Sequence, residues 1–162
     1  MLAAFDGTEP LNRVLGGSTQ PRDEPVRARP AAGSVPGVFL KSISARGFRG
    51  VGPAATLPLH PGPGLTLVTG RNGSGKSSFA EAAEIALTGK NERVLRGAVW
   101  RDGWRNLHGV EAPRIELELT AEGSARPLTV VRSWSGPDDD LHAATTTVRT
   151  PGQLPRPLAD MP

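Results

Sequence analysis

The stretch Gly64-Leu65-Thr66-Leu67-Val68-Thr69-Gly70-Arg71-Asn72-Gly73-Ser74-Gly75-Lys76-Ser77-Ser78-Phe79 decides how the rest of the chain reads. Residues 70–77 match the spacing G-x-x-x-x-G-K-[ST] in full, the pattern of a loop that cradles phosphates (a P-loop). Gly70, Gly73 and Gly75 carry no Cβ, so successive backbone N–H groups can turn inward toward phosphate oxygens. Leu65, Leu67 and Val68 form a short apolar run of β type entering the loop. Helix formers leave it in Phe79-Ala80-Glu81-Ala82-Ala83-Glu84-Ile85-Ala86-Leu87, so strand, loop and helix are expected in that order. At ordinary residue usage, chance gives such a match in a chain of this length with odds of roughly 1 in 200.

The residue types fit the chemistry. A helix opening near Gly75 offers unpaired N–H groups and the positive end of its dipole to an anion. Lys76 is placed to bring a flexible ammonium to the β- and γ-phosphates of a nucleotide, and Ser77 to bring a hydroxyl to Mg²⁺. Ser78 is a further hydroxyl donor for the α-phosphate, and Arg71, Asn72 and Ser74 complete the loop. The ligand expected is ATP with Mg²⁺.

Glycine and proline together make up 36 of 162 residues, close to the range in which chains fail to fold throughout. The apolar residues concentrate between Val38 and Val148. Three divisions follow: a Pro/Gly/Arg-rich leader over residues 1–37 expected to be disordered, a folded segment over 38–150, and a Pro-rich frayed tail over 151–162. The absence of cysteine excludes a disulfide framework and a thiolate metal site. A formal charge of +3 allows contact with nucleic acid without requiring it. No apolar run approaches the roughly 18 residues of a membrane span, and residues 1–5 lack a charged leader. A soluble cytoplasmic protein is expected.

Along the folded segment, residues 38–44 read as a first strand and 55–59 as a short one that Pro58 confines to an edge. The helix after the loop is expected to bury Phe79, Ala82, Ala83 and Ala86, with Glu81 and Glu84 turned away and Gly89 as its stop. Residues 91–112 are irregular or partly helical and carry Arg93, Arg96, Arg101 and Arg105 with Trp100 and Trp104. Those tryptophans are read as packing on a sheet, in preference to stacking on bases. Residues 114–120 alternate apolar and acidic side chains, and with 128–134 they predict an antiparallel hairpin having one wet face. Residues 143–148 add a further strand. Asp138-Asp139-Asp140 reads as a solvated turn, and His60, His108 and His142 as scattered singles that build no metal site.

Taken together, residues 38–89 resemble the N-terminal half of an ABC-type ATPase head, most closely the SMC, RecF and RecN-like ATPases of chromosome maintenance and DNA repair. The shared features are the first strand, the Arg46-Gly47-Phe48-Arg49 segment, the second short strand and the Asn72-Gly73-Ser74-Gly75-Lys76-Ser77 loop. The resemblance implies an α/β fold, a P-loop NTPase half-domain with a mixed sheet, a P-loop helix and an antiparallel β-lobe. It implies that Asn72, Gly73, Gly75, Lys76, Ser77 and Ser78 hold the phosphates and Mg²⁺. It also implies that an arginine after the first strand, Arg46 or Arg49, approaches the nucleotide.

Several parts of that family's pattern are not found in this sequence. No run of four apolar residues ends in Asp-Glu (the Walker B element), no Leu-Ser-Gly-Gly signature occurs, and Gln153 sits among prolines where a Q-loop glutamine is sought. No catalytic residue is assigned. The chain reads as the front part of a longer protein, with nucleotide, DNA, and a second head or a C-terminal half as its partners. A small P-loop kinase or phosphotransferase, and a nucleotide-binding interaction module without catalysis, are the alternatives.

Overall fold

A computed structural model describes residues 36–97, 99, 102–109, 111–136 and 140–158, all within one compact unit, Val35–Pro162. The leader up to residue 35, Trp100, Arg101, Asp138, Asp139 and residues 159–162 lie outside the described residues. In chain order the elements are β1 (Val38–Arg46), β2 (Ala55–Pro58), helix α1 (Lys76–Thr88), short helix α2 (Glu92–Leu95), β3 (Arg114–Ala121), β4 (Leu128–Ser133), β5 (Thr145–Arg149) and β6 (Arg156–Pro157). The strands form one sheet in the order β2-β1-β3-β4-β5-β6. Every neighbouring pair is antiparallel.

Alternation sorts the two faces of this sheet. Ile43 and Ala45 of β1, Ile115 and Leu117 of β3, Val130 of β4 and Val148 of β5 are buried in one cluster with Ala82, Ile85 and Ala86 of α1. The intervening Arg114, Glu116 and Glu118 stay partly exposed, as the apolar–acidic alternation predicts. On that wet face Lys41 Nζ donates to Glu118 Oε1 at 2.7 Å. Three aromatic rings close one end of the core. Trp134 stacks on Phe48 with centroids 6.5 Å apart and tilts against Trp104 at 4.8 Å. Its indole N–H donates to the Leu141 carbonyl at 3.1 Å, so a buried polar atom is satisfied.

A cation on β4 enters this interior. Arg132 lies opposite Ile115 on the buried face. Its Nη1 donates to Thr146 Oγ1 at 3.1 Å, and its guanidinium lies 5.6 Å from the Trp134 ring centroid. Burial pushes this guanidinium below the usual arginine range, because low-dielectric surroundings disfavour the charged form.

The structure departs from the expected sheet in two places. A mixed sheet was expected to include the apolar run before the loop, but residues 65–69 join no ladder, and Leu65 and Leu67 are 93% and 79% exposed. Both flanks of β1 are already occupied, by β2 on one side and β3 on the other, so no inner position is open to a parallel strand. The tail beyond residue 150, expected to fray, instead contributes β6, where Pro157 pairs with Thr147 and Arg156 with Val148.

The sheet's open rims are short. β2 has four residues and β6 has two. Leu59 N–H donates back across the pair to the Lys41 carbonyl at 2.8 Å. Its neighbour Pro58 therefore faces the open side of β2, because successive residues of a strand present their backbone groups to opposite edges.

Candidate functional site

Helix α1 starts at Lys76 because Gly75, at φ 87°, breaks the preceding chain in the left-handed region that residues with a Cβ avoid. Gly89, at φ 70°, ends it and donates its N–H to the Ile85 carbonyl, the stop expected from the sequence. At the N-terminus no side chain caps the helix, and its first turn holds no acidic residue. The first-turn amides are therefore directed toward an exposed loop with no side-chain partner of their own.

Residues 70–74 and Ser77 are exposed, and the loop folds around the lysine. Lys76 Nζ donates to the carbonyls of Gly70 and Arg71 at 2.8 and 2.7 Å. Within the loop, Ser74 N–H donates to the Arg71 carbonyl at 3.2 Å. Residues 70–75 thus lead into α1 as a loop, and the ammonium of Lys76, the first residue of the helix, is held by the loop's Gly70 and Arg71 carbonyls.

A second turn, residues 46–51, packs behind this loop. Phe48 and Val51 exchange backbone hydrogen bonds at 3.0 and 2.9 Å, and Gly47 N–H donates to the Gly52 carbonyl at 2.8 Å. Arg49, at φ 51°, occupies a left-handed conformation uncommon for a residue other than glycine. Its N–H donates to the Trp104 carbonyl at 2.7 Å, and its carbonyl accepts from Asn106 Nδ2 at 2.9 Å. The turn touches the loop directly: a Cβ added to Gly75 would lie 3.4 Å from Val51 Cγ2. Gly75→Ala therefore meets a strained φ, its new Cβ coming into ordinary contact with Val51. It should lower stability by about 1–2 kcal/mol in urea denaturation, the cost of one left-handed residue.

Arg46 and Arg49 diverge. Arg46 turns to the sheet's end, where Nη1 pairs with Glu111 at 3.1 Å and Nε donates to the Ala112 carbonyl at 3.2 Å. Arg49 turns inward, and its Nε lies 3.0 Å from Glu81 Oε2 with both side chains about nine-tenths buried. Ser78 is buried too, and its Oγ accepts the Gly50 N–H at 3.2 Å. Arg49, Gly50, Ser78, Glu81 and Arg93 line a recess of about 310 Å³ beside the loop, at the lower end of the range for small-molecule sites.

Glu81 is the residue the sequence reading placed wrongly. The buried face of α1 is Ser78, Glu81, Ala82, Ile85 and Ala86, rotated from the expected stripe, and Phe79 and Ala83 are only half-buried. The carboxylate is held inside by opposite charge. Arg93 of α2 reaches Glu81 Oε1 at 2.9 Å while Arg49 reaches Oε2. A glutamate three residues after Ser78 and four before Ile85, between two arginine-bearing segments, was the available signal.

The other candidates fall away from the loop. Trp104 is buried in the core with Arg105 stacked 5.2 Å from its ring centroid, the packing role expected of it. Gln153 is exposed in the turn before β6, its N–H donating to the Thr150 carbonyl at 3.0 Å. Among the described residues no group of three or more His, Asp or Glu side chains is arranged to hold a metal ion. No helix among them is long and apolar enough to cross a membrane.

Known proteins share this arrangement of sequence. The chromosome partition protein Smc of Desulfitobacterium hafniense is 43% identical over 65 residues, covering 40% of this chain and 5% of that protein. The Smc protein of Mycobacterium tuberculosis is 35% identical over 95 residues, covering 57% and 8%. The DNA replication and repair protein RecF of Chromohalobacter salexigens is 38% identical over 88 residues, covering 51% and 24%. The chain thus spans under a tenth of these Smc proteins and about a quarter of that RecF protein. A match to the family described as AAA domain extends over residues 42–149, from β1 through β5 and including the loop, the helix and the second turn. On that match, covering most of its length, the chain belongs to the AAA domain family.

Proposed function

We propose that the chain binds Mg-ATP at residues 70–77 as the N-terminal head segment of a cytoplasmic SMC/RecF-like ATPase in chromosome maintenance or DNA repair. The observation that carries this reading is the start of α1. It is uncapped by any side chain, free of acidic residues in its first turn, and preceded by a glycine-rich loop that curls around Lys76. Such a site favours a polyanion. The names of the relatives, chromosome partition and DNA replication and repair, support the biological setting.

The residues present suit the ligand. Backbone N–H groups of residues 72–77 would hold the phosphates, Lys76 would leave its two carbonyls for phosphate oxygens, and Ser77, exposed at the helix start, would hold Mg²⁺. Bound Mg²⁺ supplies neutralisation of charge on the β- and γ-phosphates. Arg49 is the arginine on the nucleotide side, because its turn packs on Gly75 and Ser78 whereas Arg46 is engaged with Glu111. Ser78, its hydroxyl already accepting from Gly50, serves chiefly to seat the 46–51 turn. We place the carboxylates that orient an attacking water in a C-terminal half or a second head, with DNA as a further partner.

Isothermal calorimetry of the purified chain should show one Mg-ATP bound per chain, with affinity falling when EDTA removes the metal. Turnover should stay below about 0.01 s⁻¹, against about 10 s⁻¹ for a median enzyme. An ordinary turnover rate that disappears in Lys76→Ala would overturn the head-segment reading in favour of a self-sufficient phosphotransferase.

A further inference from the structure

Glu81 ties together three parts of the chain that carry no sequence-adjacent link. Its two carboxylate oxygens meet Arg49 of the 46–51 turn at 3.0 Å and Arg93 of α2 at 2.9 Å, while its backbone belongs to α1. The Glu81 and Arg49 side chains are only 10% and 8% exposed, so solvent screens their interaction little. Arg49 also holds a left-handed φ of 51°, a conformation that persists where surrounding contacts over-determine it. The same turn forms the back wall of the loop, through Val51 against Gly75 and Gly50 against Ser78.

We propose that Glu81 is a positioning residue for nucleotide: it locks the Arg49 turn onto α1 and so fixes the wall against which the 70–77 loop takes its phosphate-binding shape. The proposal rests on the reading of residues 70–77 as a nucleotide site. Glu81 itself need not touch the ligand. It lies one helical turn beyond Ser77, and its carboxylate is committed to guanidinium groups. Removing its charge frees the turn to relax from its strained conformation. Gly75 then loses the neighbour that confines it, and the loop amides lose their common direction.

The test is a double-mutant cycle on the full 162-residue chain, with Glu81→Gln, Arg49→Gln and the double variant. Binding of Mg-ATP and of Mg-tripolyphosphate, a probe without a nucleoside, is measured at a temperature where circular dichroism shows each variant folded. Each single variant should weaken both ligands about tenfold, and the double variant by less than the product of the two singles, because the Arg49–Glu81 interaction is lost in all three while Arg93 remains a separate partner of Glu81. If Glu81→Gln does not fold, Arg49→Lys keeps the charge but loses the planar fork, and should weaken both ligands several-fold. A lowered melting temperature with unchanged affinity in the folded variants makes Glu81 a purely structural residue and overturns the proposal. Weaker ATP with unchanged tripolyphosphate also overturns it, since Glu81 would then act through the recess and not through the loop wall. If the wild-type chain binds neither probe, the nucleotide reading itself fails. If Lys76→Ala abolishes binding that the Glu81 variants retain, only the positioning role fails.

Discussion

Lys76→Ala will weaken Mg-ATP binding by about a hundredfold while moving the melting temperature by no more than a few degrees. The ammonium now donates to two loop carbonyls, Gly70 and Arg71, in an exposed setting. Although charge-assisted, these exposed bonds replace bonds to water and are screened by solvent, so together they contribute about 1 kcal/mol or less. Against phosphate the same group makes charge-assisted bonds worth about 1.5–3 kcal/mol each, and two of them at the lower figure account for a change of about a hundredfold in affinity. Stability and binding therefore separate at this residue. Calorimetry and a thermal melt on the same preparation check both halves, and retained affinity in the variant would remove residues 70–77 as the nucleotide site.

The largest loss of stability will come from Trp134→Ala. The ring is 2% exposed, stacked on Phe48 and set against Trp104, and its N–H satisfies the Leu141 carbonyl. Truncating a buried aromatic to alanine costs about 3–5 kcal/mol through lost burial and the cavity left behind, and the orphaned carbonyl adds about 1–3 kcal/mol. That approaches the whole stability of a small domain, about 5–15 kcal/mol. Urea denaturation followed by far-ultraviolet dichroism should show the variant unfolded or nearly so at ambient temperature. Trp134→Phe, which keeps most of the ring volume and loses only the donor, should cost roughly half as much or less. A loss under about 1 kcal/mol for alanine would mean that this end of the core is loosely packed.

What could be read beforehand was whatever depends on local pattern. The alternation of Ile115, Leu117 and Leu119 with Glu116 and Glu118 set β3 and its wet face, because a strand's period is fixed by its own backbone. Gly75 and Gly89 marked both ends of α1, because their left-handed conformations belong to single residues. What escaped was set by partners distant in sequence. The apolar run of Leu65, Leu67 and Val68 has strand character, but a ladder needs a free neighbouring edge, and the antiparallel order leaves β1 none. Likewise Glu81 reads as solvent-facing until Arg49 and Arg93, 32 residues before it and 12 after it, are known to converge on its carboxylate. The glycine and lysine spacing of residues 70–77 was legible as a pattern. The turn of residues 46–51 behind them was not, since its link to Gly75 is a packing contact between separate elements.

Both rims of the sheet end in proline, and this bears on how the protein behaves in a crowded solution. A bare strand edge is a template on which another chain can lay down hydrogen bonds, the first step toward fibrils and tangled oligomers. Pro58 turns a position without an N–H toward the open side of β2, and β6 is only Arg156 and Pro157 long. Neither rim can offer an unbroken row of donors to a foreign strand, and Arg156 adds a charge that a growing stack would have to desolvate. Among the described residues, then, both rims of the sheet are poor templates for a second copy of this chain.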